Sequence, residues 1–206
     1  QEEGFLVLLQ RGGPDTVVPL DPNVPVDLFY KIPDASVDFT FKATDFTQVN
    51  SAINQKMIAR VIQLLDPQSN DVILDLFCGI GNFTLPLAKK AARVVGVEGS
   101  REAVERAELN AERNMLRNAT FHVADLSKPV DDAPWANQRF DKILLDPSRA
   151  GALEILERVP GWGAARIVYV SCNPSTLARD AGVLVHDHGY HLQGAGSWTC
   201  FLKQPT

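Results

Sequence analysis

Three carboxylates and one thiol stand just past short apolar runs: Glu98, Asp125, Asp146 and Cys172. A thiol so placed can act as a nucleophile, and carboxylates can hold ligand hydroxyls and amines or carry protons. Ser171-Cys172-Asn173-Pro174 is the most informative stretch. It follows Ile167-Val168-Tyr169-Val170, which reads as a fully buried strand. A residue at the carboxyl end of a parallel strand faces the crevice in which open α/β sheets bind ligands. Pro174 suits the first turn of a helix expected over Ser175 to Val185, because its missing N–H would have no partner there. Cys172 then lies near a helix N-terminus, whose partial positive charge favours an anion. A buried, inert cysteine is the competing reading, since free cysteine is among the most buried residue types.

Asp75-Leu76-Phe77-Cys78-Gly79-Ile80-Gly81-Asn82-Phe83 follows the first strong strand and opens a helix. Gly79 and Gly81 permit a tight turn and close approach of a ligand to the backbone. Thr84 stands where a dinucleotide fingerprint has its third glycine, which favours a cofactor without a pyrophosphate. Glu98 ends the next strand, where a carboxylate can accept both hydroxyls of a ribose. Asp125 follows the third strand, placed to accept from an adenine amino group. Two glycines alone also fit an ordinary tight turn; the strand-end carboxylates make the combination more specific. It looks like the site of Rossmann-like methyltransferases that use S-adenosylmethionine.

Such residues need a scaffold that gathers strand ends. The spacing of Ile53, Met57, Ile58, Val61, Ile62 and Leu65 predicts a helix over Ser51–Leu65, stopped by Pro67. Strands are expected at Val72–Phe77, Val94–Val97, Thr120–Val123, Lys142–Leu145 and Arg166–Ser171. Helices are expected from about Asn82, over Ser100–Met115, near Ala152–Arg158 and after Asn173. This alternation argues for an α/β fold with a doubly wound, mostly parallel sheet. Residues 1–45 differ, with short strands at Phe5–Leu9 and Val37–Phe41 around a Pro-rich middle. They are expected to be the remnant of a β-rich central domain, followed by one catalytic domain over 46–206.

Composition narrows the class. With 45% hydrophobic and 22% charged residues the chain matches ordinary globular proteins. No apolar run approaches the roughly 20 residues of a membrane span, and no signal peptide is visible. Three cysteines without a C-x-x-C pair argue against a disulfide framework or a zinc site and fit a reducing, cytoplasmic compartment. A net charge of −5 is not the footprint of a standalone nucleic-acid binder.

Three further motifs carry a family resemblance: Asp45-Phe46-Thr47-Gln48-Val49-Asn50, Leu145-Asp146-Pro147-Ser148-Arg149-Ala150-Gly151, and Ser171-Cys172-Asn173-Pro174-Ser175-Thr176-Leu177-Ala178-Arg179-Asp180. Together they resemble the bacterial RNA (uracil-5-)-methyltransferases over roughly residues 40 to 195. Pro-Ser-Arg-Ala-Gly, where tRNA-specific relatives tend to have Pro-Pro-Arg-Ser-Gly, favours the branch acting on 23S ribosomal RNA, with tRNA as the alternative. The resemblance implies a class I methyltransferase, monomeric and cytoplasmic, with S-adenosylmethionine as cofactor and RNA as partner. It implies that Gln48, Phe77, Asn82, Glu98, Asp125 and Asp146 line the cofactor and target-base site. Phe46, Gln48, Asp146 and Arg149 would meet the substrate, Cys172 would be the nucleophile, and no catalytic metal is implied.

The chemistry accounts for these residue types. Uracil C5 is a poor nucleophile until a thiolate adds at C6, which creates an enolate able to attack a methyl donor. A base must then take the C5 proton so that the cysteine can leave. Asp146 can hydrogen-bond the uracil edge, the less favoured alternative being a cap on the segment at Pro147. Arg149 suits phosphate or carbonyl oxygens, or a structural ion pair. Phe46 can offset part of the cost of unstacking the target base.

Departures from the family are also expected. There a His-(Leu/Val)-Glu segment near the C-terminus supplies the base, and no such segment precedes Thr206. Codons exist for Ser197–Thr206 that, read one nucleotide earlier, give Val-Leu-Asp-Met-Phe-Pro-Gln-Thr-Ala-Asn, resembling the family's own lead-in to the base. A shifted reading frame is therefore expected there, and with it loss of the last strand. The ribosomal branch also carries a small β-barrel RNA-binding domain and a 4Fe-4S cluster held by four cysteines, for which this chain has no ligand set. Competing functions are amino-methylation through Asp146-Pro147, which needs no cysteine, and a catalytically inactive chain that only binds cofactor or RNA.

Overall fold

The computed structural model describes residues 7–13, 16–21, 23, 28–48 and 50–197. Two antiparallel pairs come first. β1 (Leu8–Gln10) pairs with β2 (Val17–Pro19), and β3 (Leu28–Ile32) forms a hairpin with β4 (Val37–Phe41). The expected strand at Phe5–Leu9 is thus shifted toward Gln10, with Phe5 and Leu6 outside the described residues. α1 (Ser51–Leu65) follows, capped by Asn50, whose Oδ1 accepts from Ile53 N at 3.1 Å.

The rest alternates. β5 (Val72–Leu76), α2 (Thr84–Ala88), β6 (Arg93–Glu98), α3 (Arg101–Arg113), β7 (Ala119–Val123) and β8 (Lys142–Leu145) lead to α4 (Leu153–Leu156), α5 (Val159–Trp162), β9 (Arg166–Tyr169) and α6 (Pro174–Gly182). The five later strands form one sheet in the order β7-β6-β5-β8-β9, and every pairing is parallel. Chain order reverses between β5 and β8, and the carboxyl ends there open the crevice typical of ligand sites.

Strand side chains alternate between two cores, as a period of two requires. Ile73, Val94, Leu144 and Val168 face α1, α2 and α3. Leu74, Leu76, Val95, Val97, Ile143 and Leu145 face α4, α5 and the buried Trp135 and Trp162. The hairpin shares the first core through Ile32, Val37 and Phe39, all buried. Two asparagines one turn apart, Asn110 on α3 and Asn114 capping its end, extend β4 as a neighbouring strand would. Thr40 N donates to Asn110 Oδ1 at 2.8 Å and Asn110 Nδ2 donates to Thr40 O at 3.1 Å. Asn114 repeats the exchange with Asp38 at 2.9 and 2.7 Å. The hairpin lies before the boundary expected at residue 45, yet its packing runs straight into the parallel sheet's core.

Element ends depart from expectation for local reasons. α2 begins at Thr84, not Asn82, because Gly79 and Gly81 hold positive φ and prolong the turn. The single helix expected near Ala152–Arg158 is two short ones, since Pro160 cannot donate and Gly163 ends the second at φ +70. α3 starts at Arg101, Ser100 being its cap. β5 stops at Leu76 and β9 at Tyr169, one and two residues short of the expected limits. α6 ends at Gly182 and passes into one wide turn over Val183–Asp187. The proposed frame shift falls on Trp198–Thr206, which lie outside the described residues. No helix among the described residues is long and apolar enough to cross a membrane.

Candidate active site at the carboxyl edge of the sheet

The loop after β5 is built by backbone conformations that few residues tolerate. Phe77 sits at φ +65, Gly79 at +53 and Gly81 at +90. Phe77 N and Cys78 N both donate to Val97 O, at 2.8 and 3.1 Å, so the loop is stitched to β6. Glu98, at the end of β6, completes the stitch. One carboxylate oxygen accepts from Gly79 N at 3.1 Å and the other from Gly99 N and Ser100 N at 2.7 and 3.0 Å. A Cβ on Gly79 would meet nothing within 4 Å, so the space above the loop is open. A Cβ on Gly96 would lie 2.7 Å from Phe121 Cδ1 and 2.9 Å from Cys78 Sγ, which forces glycine there. Cys78 is buried and its thiol is pushed well above its usual range, first by burial and then by Asp75.

Asp75 lies beneath the same loop with no exposed surface. Thr84 Oγ1 donates to its Oδ2 at 2.6 Å, while Oδ1 has no partner. Burial pushes this carboxyl up to about 7, the Thr84 bond pulling the other way and Asp146 and Glu98 adding to the rise. Asn82 is held from two sides. Its Oδ1 accepts from Tyr30 OH on the hairpin and from Asn54 Nδ2 on α1, each at 2.9 Å, and its Nδ2 donates to Asn54 Oδ1 at 2.9 Å. Gln48 borders a cavity of about 290 Å³ with Tyr30, Phe41, Ser51 and Asn54, which places it beside Asn82's partner. Phe46 is 84% exposed. Asp125 is exposed past β7, held down to about 2 by Lys128 at 2.8 Å and by Ser127.

The other half of the edge belongs to β8 and β9. Asp146 follows β8 directly, its N–H donating to Leu76 O at 3.3 Å. Burial alone pushes its carboxyl up to about 7. Cys172 is exposed, which removes the reading of a buried, inert cysteine. It precedes Asn173, the cap of α6, whose Oδ1 accepts from Ser175 N at 3.1 Å. Ser171 Oγ accepts from Asn173 N at 3.0 Å and closes the turn around the thiol. Among the described residues no carboxylate pairs with the Arg149 guanidinium, which is exposed. Its backbone carbonyl is instead gripped by Asn173.

Gln48, Phe77, Asn82, Glu98, Asp146 and Cys172 thus share one edge with Asp125, while Phe46 stands out in solvent. Tyr30 and Asn54 were not legible as site residues. Asn54 had a usable signal, being the one polar member of the buried α1 stripe Asn54, Ile58, Val61, Leu65. The complete burial of Asp75 leaves no mark in the motif Asp75–Phe83.

Strand order, all-parallel pairing, the glycine turn after β5 and the carboxylate ending β6 define the class I methyltransferase fold. A solved tRNA (uracil-54, C5)-methyltransferase from Pyrococcus abyssi, in complex with S-adenosyl-L-homocysteine, superposes with a TM-score of 0.65 and 31% identity over 76% of this chain and 37% of that one. The sequence model described as tRNA (Uracil-5-)-methyltransferase matches residues 25–192, and the chain belongs to that family. The 23S rRNA (uracil(1939)-C(5))-methyltransferase RlmD of Methylococcus capsulatus is 58% identical over 98% of this chain. The protein of the same name in Xanthomonas euvesicatoria is 53% identical over 98%. The chain spans 45% of the length of either.

Proposed function

We propose that this chain is the catalytic part of an S-adenosylmethionine-dependent enzyme that methylates C5 of a uridine in 23S ribosomal RNA through a covalent adduct at Cys172. The observation that carries the reading is an exposed cysteine, held in a capped turn at the same sheet edge as the cofactor-type loop. High identity to two 23S rRNA methyltransferases supports rRNA over tRNA. A monomer working in the cytoplasm, where ribosomal RNA is made, fits the same reading. The hairpin over 28–41 is proposed to belong with the catalytic domain, and the segment before it with a neighbouring β-rich domain.

The residues present fit the cofactor. The open space at Gly79 and the part-exposed Glu98 carboxylate form a cradle at the sheet edge, with the buried, unpartnered Asp75 Oδ1 beneath the loop. Glu98 and Asp125 would take ribose and adenine, Phe77 and Asn82 would contribute from the loop after β5, and Gln48 would approach from the segment before α1. When bound, S-adenosylmethionine supplies an electrophilic methyl group.

The chain's own residues would activate and hold the uracil. The Cys172 thiolate forms an S–C6 bond to uracil, and the C5–C6 electron pair shifts toward O4, leaving C5 nucleophilic. Asp146, titrating near 7, can accept from uracil N3–H when ionised or donate to O4 when protonated. Arg149 is free to meet RNA phosphate, and Phe46 to stack on an unpaired base. After methyl transfer the C5 proton leaves to a base and the S–C6 bond breaks.

The test is a 23S rRNA fragment carrying 5-fluorouridine at the target. Fluorine cannot leave as a proton does, so methylation should trap a denaturant-stable protein–RNA adduct that requires S-adenosylmethionine. Methyl transfer by a Cys172→Ala protein would overturn the reading, and cofactor binding with neither adduct nor methylated RNA would leave a binding protein only.

A further inference from the structure

Residues 147–151, between β8 and α4, carry backbone groups that neither sheet nor helix satisfies. α6 satisfies them with side chains. Arg149 O accepts from Asn173 Nδ2 at 3.0 Å and from Thr176 Oγ1 at 3.3 Å. Ala150 O accepts from Arg179 Nη2 at 2.9 Å. Ala152 N donates to Asp180 Oδ2 at 2.7 Å. Asp180 is fully buried and also accepts from Tyr169 OH at 2.6 Å and Arg179 Nε at 2.7 Å. Burial pushes its carboxyl up, but these donors outweigh it, and it titrates below the ordinary carboxylate range.

The contacts close a ring. Tyr169 is the last residue of β9, Cys172 follows in the Ser171–Asn173 turn, α6 begins at Pro174, and its first two turns return to the loop that leaves β8. Gly151 marks how tightly. It holds φ +85, and a Cβ there would lie 2.5 Å from Arg179 Nη2 and 2.6 Å from Asp180 Oδ2. Apolar packing could have fastened this loop more cheaply. A buried carboxylate saturated by charged and neutral donors instead fixes direction as well as distance.

We propose that Asn173, Thr176, Arg179 and Asp180 form a clamp that sets the Cys172 turn against the Asp146–Gly151 loop, making Arg179 and Asp180 positioning residues for the nucleophile. The inference rests on the covalent mechanism above. Thiol, Asp146 and Arg149 must meet one uridine together, and misplacement by about 1 Å can cost about 10²-fold in rate.

Arg179→Lys keeps the charge but loses the fork that spans Asp180 and Ala150 O. Thr176→Ala removes one grip, and Thr176→Ser restores it. With RNA bearing 5-fluorouridine, the limiting rate of adduct formation should fall roughly 10- to 100-fold in Arg179→Lys and less in Thr176→Ala, with recovery in Thr176→Ser. The stoichiometry of S-adenosylmethionine binding should be unchanged, and RNA affinity should stay within about three-fold. An unchanged limiting rate in Arg179→Lys overturns the clamp. So does a rate loss matched by an equal loss of cofactor-binding stoichiometry, which would mark simple unfolding. If the unsubstituted protein forms no adduct, the covalent reading fails and the clamp's role falls with it.

Discussion

The two halves of the sheet's carboxyl edge are rigid for different reasons. On the β5–β6–β7 side the loop is fastened through its own N–H groups: Phe77 and Cys78 donate to Val97 O, Gly79 donates to the Glu98 carboxylate, and glycines permit the path. On the β8–β9 side the backbone is fastened by side chains of α6. The first arrangement depends on one side chain, that of Glu98, and on the glycines. The second depends on each donor and acceptor of one helix. The two strand-end aspartates show the same division. Asp125 is exposed and held down to about 2, while Asp146 is half-buried and pushed up to about 7. Similar positions in the chain give opposite acidities because Asp125 accepts hydrogen bonds from Lys128 and Ser127, whereas burial strips water from Asp146.

Substitutions can break or sharpen this contrast. The largest effect is expected at Cys172→Ala, which should abolish trapping of 5-fluorouridine RNA while calorimetry finds cofactor affinity unchanged. If cofactor binding collapses too, the halves are not independent.

A pH effect comes next. The Asp75 carboxyl lies at about 7 in the folded chain, against an ordinary 3.8. Between about pH 4 and 7 the folded chain keeps a proton that the unfolded chain has released, so stability falls as pH rises through that window. Asp75→Asn should shrink the drop in unfolding free energy between pH 5 and 8 by ~2–3 kcal/mol. Asp146, shifted the same way, should leave a residual slope. Denaturant melts at the two pH values decide it, and an unaltered slope would exclude Asp75 as its source.

Glu98→Ala should weaken S-adenosylmethionine binding by about 1.5–3 kcal/mol, as expected for lost charge-assisted hydrogen bonds. The same change releases Gly79 N, so hydrogen exchange at Gly79 should rise in the cofactor-free protein. Unchanged affinity would remove Glu98 from the site. The smallest effect is expected at Lys128→Ala. It removes an exposed ion pair from Asp125 and should change cofactor affinity by no more than a few-fold. A large loss would mean that Lys128 itself meets the ligand.

Legibility in the sequence followed the same division. The glycine loop, Glu98 and the five parallel strands could be read because glycine placement and apolar runs leave direct marks. Pro160 is a local mark of the break between α4 and α5. The hairpin strand Leu28–Ile32 was hidden among prolines, and its attachment through Asn110 and Asn114 pairs residues some 70 positions apart. The α6 clamp was unreadable for a similar reason. Its partners are backbone carbonyls, which every residue has, so nothing in Arg149 or Ala150 announces that it will be held. The burial that raises Asp75 and Asp146 is likewise a property of the packed layers and not of the motif letters.

The aromatic residues of the two cores differ in an optically useful way. Trp135 and Trp162 lie 5.8 Å apart, and Phe140 meets Trp162 edge-on at 6.2 Å, all on the α4–α5 face. The opposite face, where the hairpin and α1 pack, holds phenylalanines and Tyr30 but no tryptophan among its described residues. Intrinsic tryptophan emission from this pair therefore watches one side of the sheet alone. With Trp198 replaced by Phe, emission would be blind to detachment of the hairpin, whereas near-ultraviolet signals from Tyr30, stacked on Phe39 at 4.8 Å, would register it. The molecule thus carries separate built-in reporters for its two faces.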